Sequence, residues 1–193
     1  MAALVILPLM LLACSKTTIL RQAEPNPLVG TPHYAVLPLD FEESSVAGLT
    51  EREYLAAEEP ESRDSFEGDK QAMSDAFGRS LASVEGLAVS NAQQELDEFR
   101  LVPRVVSLEP GQWGGAQPAE TTIAVAVETP EGQLLDIIEV EADSGDDSIL
   151  SLSPVMKLVT NARTGDRGRR MAVAAERAAQ LVAEYLTERQ QGK

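Results

Sequence analysis

The stretch TTIAVAVETPEGQLLDIIEVEA, residues 121–142, constrains the fold of this chain more than any other segment. Its first part alternates Ile123, Val125 and Val127 with small or polar residues, which is the period of a strand with one buried face. The sequence TPEG follows and has proline at the second and glycine at the fourth position of a tight turn. Residues 133–142 return as an apolar partner strand. The segment therefore predicts an antiparallel hairpin.

Two long helices are predicted, one before and one after this hairpin. The second covers residues 168–190 and is rich in alanine, which favours helix and allows close packing against a sheet. The first covers residues 65–85 and ends before Gly86. Its apolar residues recur at intervals of seven, four, four and three, which places on one helical face Phe66, Met73, Phe77, Leu81 and Val84.

Shorter elements complete the predicted fold. Thr50 and Glu53 form a capping box, which predicts a short helix over residues 51–58. Three further strands are expected at residues 33–41, 87–89 and 99–108. Pro103 predicts that the last of them lies at an edge of the sheet or contains a bulge. The pattern as a whole predicts an α+β fold, with a mostly antiparallel sheet of about four to five strands and two long helices packed on one face.

Composition excludes several classes of function. The 193 residues carry a formal net charge of -15, and a surface this acidic repels nucleic acid, so no DNA or RNA partner is expected. One cysteine cannot form an intramolecular disulfide, and with a single histidine it cannot build a zinc site. No cofactor or metal is predicted. A chain of this length with 44% hydrophobic residues predicts one folded domain.

The chain opens with an uncharged apolar run that ends at Cys14. The run is too short for a membrane-spanning helix and has the length of a signal-peptide core. Leu11-Leu12-Ala13-Cys14 resembles the lipobox of bacterial lipoproteins. This resemblance implies cleavage before Cys14, acylation of its thiol and of the new amino terminus, and durable attachment through more than one acyl chain. Ser15 and Lys16 resemble a signal for export to the outer membrane.

The alternative is that residues 2–13 form a buried element and Cys14 is an ordinary core thiol. The lipobox interpretation divides the chain into a signal peptide (1–13), a lipidated tether (14–32) and a single periplasmic α+β domain (33–190). Residues 15–32 contain three prolines and no clear periodicity, which is typical of a tether with a maximum reach of about 55 Å.

A second resemblance rests on the order of these segments. The lipobox, the strand YAVLPLD, a long helix ending at a glycine, the hairpin VETPEGQLLD and a final alanine-rich helix are similar to small Gram-negative outer-membrane lipoproteins. The core of those proteins looks like the amino-terminal domain of TolB and the periplasmic domain of curli-secretion lipoproteins. The likeness covers most of residues 33–188. It implies an envelope location and an α+β fold, and no specific chemistry.

Two features are candidate contacts for a partner protein. Trp113 lies in a loop rich in glycine and proline, where a lone tryptophan can anchor a partner or cover the edge of the core. The segment RTGDRGRR concentrates positive charge in an acidic chain, and it could bind an acidic partner or pair with acidic residues of the chain itself. Its arginines are Arg163, Arg167, Arg169 and Arg170.

Features that would indicate an enzyme or a calcium site are weak. His33 stands at the predicted start of a strand, without the serine motif that a catalytic triad would need. The acidic loop at residues 141–148 does not fit the spacing of an EF-hand. The sequence therefore predicts a non-enzymatic, lipid-anchored envelope protein that acts as a component or assembly factor of a periplasmic or outer-membrane complex. The alternative is an auxiliary lipid- or glycan-binding subunit of an envelope transport system.

Overall fold

The computed structural model describes residues 16–30, 33–91, 98–111, 118–145 and 167–192. Within these ranges the chain forms eight strands and three helices. No helix in them combines the length and the hydropathy needed to cross a bilayer. In chain order the elements are β1 (Lys16–Arg21), β2 (His33–Val36), β3 (Ser45–Val46), β4 (Leu49–Thr50), α1 (Glu51–Ala57), α2 (Pro60–Ala82), β5 (Ala88–Asn91), β6 (Phe99–Glu109), β7 (Glu120–Glu128), β8 (Leu134–Asp143) and α3 (Arg167–Gln190).

The sheet is mixed, so the predicted fold class is wrong in its strand number and pairing. The strand order is β1-β8-β7-β6-β2-β5, and β3 and β4 lie beside this path. Pairs among β1, β8, β7 and β6 are antiparallel, whereas β2 runs parallel to both β5 and β6. The chain passes from β2 to β5 through α1 and α2, and a helical crossover is what parallel neighbours require. Alternation along a strand does not reveal which strand lies beside it.

The central hairpin is confirmed. β7 and β8 pair antiparallel, and Ile123, Val125 and Val127 are fully buried. The turn is closed by hydrogen bonds from the Thr129 N–H to the Gln133 carbonyl (2.9 Å) and from the Gly132 N–H to the Thr129 carbonyl (2.9 Å). Gly132 adopts a φ of 82°, which disfavours residues that carry a Cβ atom.

β6 lies inside the sheet, between β7 and β2, although Pro103 predicts an edge or a bulge. The proline is tolerated because regular pairing with β2 has already ended at Leu101. Beyond that point, the Asp40 N–H donates to the Pro103 carbonyl (3.0 Å) and the Val105 N–H donates to the Asp40 carbonyl (2.8 Å). The missing N–H of Pro103 therefore falls where the neighbouring strand is interrupted.

The helices agree with the sequence pattern except at the two ends of α2, which stops at Ala82 rather than at residue 85. The capping box at Thr50 and Glu53 is confirmed, since each backbone N–H bonds to the other side chain. α2 begins at Pro60 rather than residue 65, because proline at the first helical position lacks only an N–H that has no partner there. The core lies between α2, α3 and one face of the sheet, and its fully buried members include Phe66, Met73, Leu81, Leu101, Ile138, Met171, Val182 and Leu186.

The amino-terminal segment differs from the predicted tether. Residues 16–30 do not form a tether, because β1 pairs with β8 and Leu28 is fully buried. The side chains of β1 are mostly exposed at the edge of the sheet, so the strand carries no alternating apolar pattern. Exposure on both faces is the reason that the sequence gives no strand signal at this position.

Candidate functional site

A buried ion pair joins β8, α3 and the amino-terminal segment. The carboxylate of Asp136 is completely buried and accepts hydrogen bonds from Arg189 Nε (3.0 Å), Tyr185 Oη (2.7 Å) and the Ala23 N–H (2.7 Å). Arg189 Nη2 in turn donates to the Ala23 carbonyl (2.9 Å). Residues Ala23, Asp136, Tyr185 and Arg189 are called the Asp136 cluster. Burying these charges carries a desolvation cost, which the ion pair and the hydrogen bonds to the carboxylate offset.

The protonation of Tyr185 follows from this geometry. Burial raises the pKa of the phenol, and the hydrogen bond to the Asp136 carboxylate raises it further. Tyr185 therefore stays protonated and acts as a donor across the physiological range. The Asp136 carboxylate already has three donors around it, so the arrangement suits fixed attachment of residue 23 rather than proton transfer to a ligand.

A second set of contacts fixes the chain just after Ala23. Asn26 Nδ2 donates to the Arg189 carbonyl (2.8 Å), and the Gly30 N–H donates to the Gln190 carbonyl (3.1 Å). These two carbonyls belong to the last turn of α3, where helix geometry leaves carbonyls without partners. Leu28 lies between the two contacts and is fully buried. The segment after β1 therefore caps the carboxyl end of α3 and packs into the core.

A different arginine holds the opposite end of α3. Arg167 Nε bonds to Asp69 Oδ2 (2.6 Å), and Arg167 Nη1 donates to Tyr54 Oη (3.3 Å). The guanidinium lies 5.1 Å from the centre of the Phe66 ring, within range of a cation–π contact. Residues Tyr54, Phe66, Asp69 and Arg167 are called the Arg167 cluster. They connect the start of α3 to α1 and α2.

Each nitrogen of the Arg167 guanidinium has an acceptor within the chain. Nη2 donates to the Ser62 carbonyl (2.6 Å) and to Ser65 Oγ (3.0 Å), and Nη1 lies 3.7 Å from Glu58 Oε2. Burial lowers the pKa of Arg167, but the hydrogen bond and charge of Asp69 outweigh it, so the pKa is raised overall. The guanidinium of Arg167 therefore pairs with acceptors of the chain itself.

An open groove lies beside this cluster, between α1 and the start of α2. Its volume is about 560 Å³, and its floor is apolar at Leu55 and Ala56. Glu51, Arg52 and Arg63 complete the lining, and Glu51 is paired with Lys70 at 2.9 Å. Arg52 and Arg63 are exposed. The groove can therefore accept an amphipathic group with a negative charge.

The structure describes only three of the residues predicted as contacts. Cys14, Trp113 and Arg163 lie outside the described residues. Arg169 is exposed at the start of α3, whereas Arg170 is buried and its Nη2 lies 3.5 Å from the Pro110 carbonyl. Arg167, Arg169 and Arg170 therefore lie in three different surroundings. For Arg167 the alternative interpretation, pairing with acidic residues of the chain, describes the structure.

The Asp136 and Arg167 clusters were not predicted from the sequence, although a signal for the first exists. Asp136 precedes Ile138 and Val140 at the strand period of two, so a carboxylate stands on the buried face of β8. Arg189 follows Leu186 by three residues on the inner face of α3. A charged residue on each buried face predicts a paired charge in the core. Within the residues that the structure describes, no group of three or more His, Cys, Asp or Glu side chains could hold a metal ion.

Comparison with known proteins gives distant structural likenesses only. No protein-family profile matches the chain, and no curated protein does. The PelC dodecamer from Paraburkholderia phytofirmans, solved in two crystal forms, aligns with TM-scores of 0.36 and 0.37 at 11% and 10% identity, and each alignment covers 81% of this chain and 98% of that chain. An uncharacterized protein aligns with a TM-score of 0.37 at 10% identity, over 86% of this chain and 97% of that chain. Likenesses at these values carry no argument about function or assembly.

Proposed function

We propose that this chain is a lipid-anchored bacterial envelope protein, held by acyl chains on Cys14 at the periplasmic face of the outer membrane. It acts there as a non-enzymatic component or assembly factor of a periplasmic or outer-membrane complex. The lipobox-like sequence before Cys14 supports the anchor. The net charge of -15 supports a covalent anchor, because such a surface has little electrostatic attraction to anionic headgroups.

The observation that carries the proposal is the attachment of the segment that follows Cys14. β1 begins at Lys16, only two residues after the cysteine, and it is paired with β8 at every position except Leu20. Two residues after β1, the backbone of Ala23 bonds to Asp136 and to Arg189. A domain whose chain is fixed this close to an acyl anchor has a restricted position at the membrane. That restriction suits a protein that presents one surface to a neighbouring component.

The anchor is tested by the mass of the amino-terminal peptide. The chain is expressed in a Gram-negative host, and membrane-bound protein is digested and analysed by mass spectrometry. The proposal predicts a first residue Cys14 that carries acyl chains, and a Ser15→Ala control with the same modification. Cys14→Ala is expected to lose the acylated peptide. An unmodified Cys14 inside a longer peptide from the wild type would overturn the anchor.

The role in a complex is tested by cross-linking in cells with Cys14 intact, followed by affinity capture and mass spectrometry. The proposal predicts recovery of one or a few envelope proteins at levels that Cys14→Ala does not reach. Trp113→Ala and Arg163→Ala are then expected to reduce recovery if these predicted contact residues touch the partner. Recovery of the same background proteins from wild type and Cys14→Ala would contradict the assembly role.

The groove beside α1 favours a second candidate, an auxiliary subunit that binds a lipid or a glycan with a negative charge. The groove is open to solvent, and the apolar side chains of Leu55 and Ala56 lie beside the exposed Arg52 and Arg63. Short-chain phosphatidylglycerol, titrated below its micelle concentration, is the probe. This candidate predicts saturable binding that Arg52→Ala with Arg63→Ala weakens, while Arg79→Ala at the far end of α2 leaves it unchanged. Binding that all three proteins share equally, or no binding, would exclude the candidate.

A further inference from the structure

The edge strand β1 differs in charge from the rest of the molecule. It contains Lys16 and Arg21 and no acidic residue, in a chain with a net charge of -15. Lys16 lies 3.8 Å from Glu141, and both side chains are about half exposed or more, so the pair is weak and water reaches it. β1 therefore presents cationic side chains at the edge of an acidic protein.

The same strand exposes large apolar side chains. Ile19 is 51% exposed and Leu20 is 57% exposed, and both stand between the two cationic residues. A β-bulge falls between Ile19 and Arg21, which places Leu20 outside the regular pairing with β8. Apolar side chains flanked by lysine and arginine suit the boundary between lipid headgroups and acyl chains, where the long cationic side chains can reach the polar layer.

The position of β1 along the chain determines what can cover it. Consecutive Cα atoms are 3.8 Å apart, so the Cα atom of Lys16 lies within about 7 Å of that of Cys14. A six-residue strand is about 20 Å long, and the interfacial layer of a bilayer is several Å thick on each side. With Cys14 acylated, the start of β1 is within the headgroup layer. Ile19 and Leu20 then reach the same layer when the strand lies along the membrane surface.

We propose that the edge of β1 that faces away from β8 lies on the lipid headgroup layer, with Ile19 and Leu20 at the acyl-chain boundary and Lys16 and Arg21 beside anionic phosphates. The inference rests on the proposed acylation of Cys14 and deepens it. The anchor and the edge strand together make an attachment with a defined orientation, which places β5, the opposite edge of the sheet, away from the bilayer. Membrane contact also covers an edge that could otherwise pair with another chain.

The test uses full-length acylated protein in vesicles of phosphatidylethanolamine and phosphatidylglycerol. Cys14 is the only cysteine, so once it is acylated a single new cysteine can be labelled with an environment-sensitive fluorophore. Leu20→Cys is compared with Leu49→Cys, a leucine of β4 that is 43% exposed and serves as the matched control. Spin-labelled headgroups are expected to quench the label at position 20 several-fold more than the label at position 49.

A second comparison tests the chemistry of the contact. Lys16→Glu combined with Arg21→Glu is expected to lower quenching at position 20, while Arg79→Glu, at an exposed position of α2 outside the groove, leaves it unchanged. Equal quenching at positions 20 and 49 in protein that carries acylated Cys14 would overturn the inference. A cross-link from position 20 to a second protein or to a second copy of this chain would also overturn the inference. β1 would then pair with another strand rather than lie on the membrane. Failure of acylation itself is seen separately, in the mass of the amino-terminal peptide.

Discussion

The Asp136 cluster and the Arg167 cluster are each built around an arginine of α3, yet they differ in burial and in what they hold. The side chains of Arg189 and Asp136 are 3% and 0% exposed, whereas those of Arg167 and Asp69 are 15% and 12% exposed. The first cluster attaches the amino-terminal segment to the sheet and the end of α3. The second attaches the start of α3 to α1 and α2.

The difference shows how the two ends of one helix serve separate purposes. Breaking a fully buried pair leaves a charge that water cannot reach, so the cost is high and the attached segment is released. In the Arg167 cluster water can partly replace a lost partner, and several acceptors share one guanidinium. The amino-terminal attachment is therefore the more rigid of the two.

The largest effect is expected from Asp136→Asn. The change keeps the shape of the side chain and leaves the Arg189 guanidinium buried without a counter-charge, so we expect a loss of about 3 kcal/mol in the free energy of unfolding. Glu141→Gln on the same strand is the matched control. Its pair with Lys16 is exposed, and a loss below about 1 kcal/mol is expected. Denaturant unfolding measures both, and equal losses would mean that the two pairs do not differ as their burial suggests.

Arg167→Ala is expected to have a smaller effect, about 2 kcal/mol, because charged hydrogen bonds are lost but Asp69 stays within reach of water. Arg104→Ala removes an exposed pair with Glu43 at 3.7 Å and should cost less than about 0.5 kcal/mol. Thermal unfolding of the two variants gives the comparison. A loss for Arg167→Ala that matches or exceeds that for Asp136→Asn would reverse the order of the clusters.

Gly168 tests how tightly the start of α3 approaches α2. A Cβ atom at this position would collide with the Asp69 carboxylate, so Gly168→Ala must displace an acceptor of the Arg167 cluster. We expect a loss of about 1 to 2 kcal/mol. Gly68→Ala in α2 meets no atom within 4 Å and should stabilise the helix by up to about 1 kcal/mol. Changes of the same sign in unfolding midpoint would contradict the close approach.

The smallest effect concerns pH and Tyr34, whose buried hydroxyl lies close enough to Asp136 and Arg189 to interact with their charges. Burial raises the pKa of Tyr34 from 10.0 to about 12. Between these values the native state holds a proton that the unfolded state has released, so stability falls as pH rises. Tyr34→Phe removes this dependence and should lessen the loss by up to about 1.4 kcal/mol per pH unit above pH 10. If the free energy of unfolding changes equally with pH in the wild type and in Tyr34→Phe from pH 9 to 11, the prediction is wrong.

The sequence predicts elements whose burial is periodic. The hairpin of β7 and β8, the capping box of α1 and the alanine-rich helix α3 follow local patterns, and the structure confirms all three. The strand count and the parallel pairing of β2 are not predictable in this way, because they depend on contacts between segments far apart in the chain. β1 was missed since an edge strand with mostly exposed side chains looks polar and irregular.

The site was predictable to a smaller degree. The basic segment that runs into the start of α3 made Arg167 a candidate, but its spacing could not show that Asp69, about a hundred residues earlier, pairs with this arginine. Asp136 was identifiable as a charge on a buried strand face, and its partners were not, because Ala23 and Arg189 come from opposite ends of the chain. Charges reveal that a partner is needed, and only the fold shows which one.

The attachment of the segment after Cys14 is tested most directly by amide hydrogen exchange of residues 16–21. β1 is paired with β8 and backed by the Asp136 cluster, so the β1 amides that face β8 should exchange much more slowly than in an unstructured chain. Asp136→Asn should remove much of this protection while β7 remains protected. Exchange of all β1 amides at unstructured rates in the wild-type protein would show that the segment is a free tether, and would contradict a fixed link between anchor and domain.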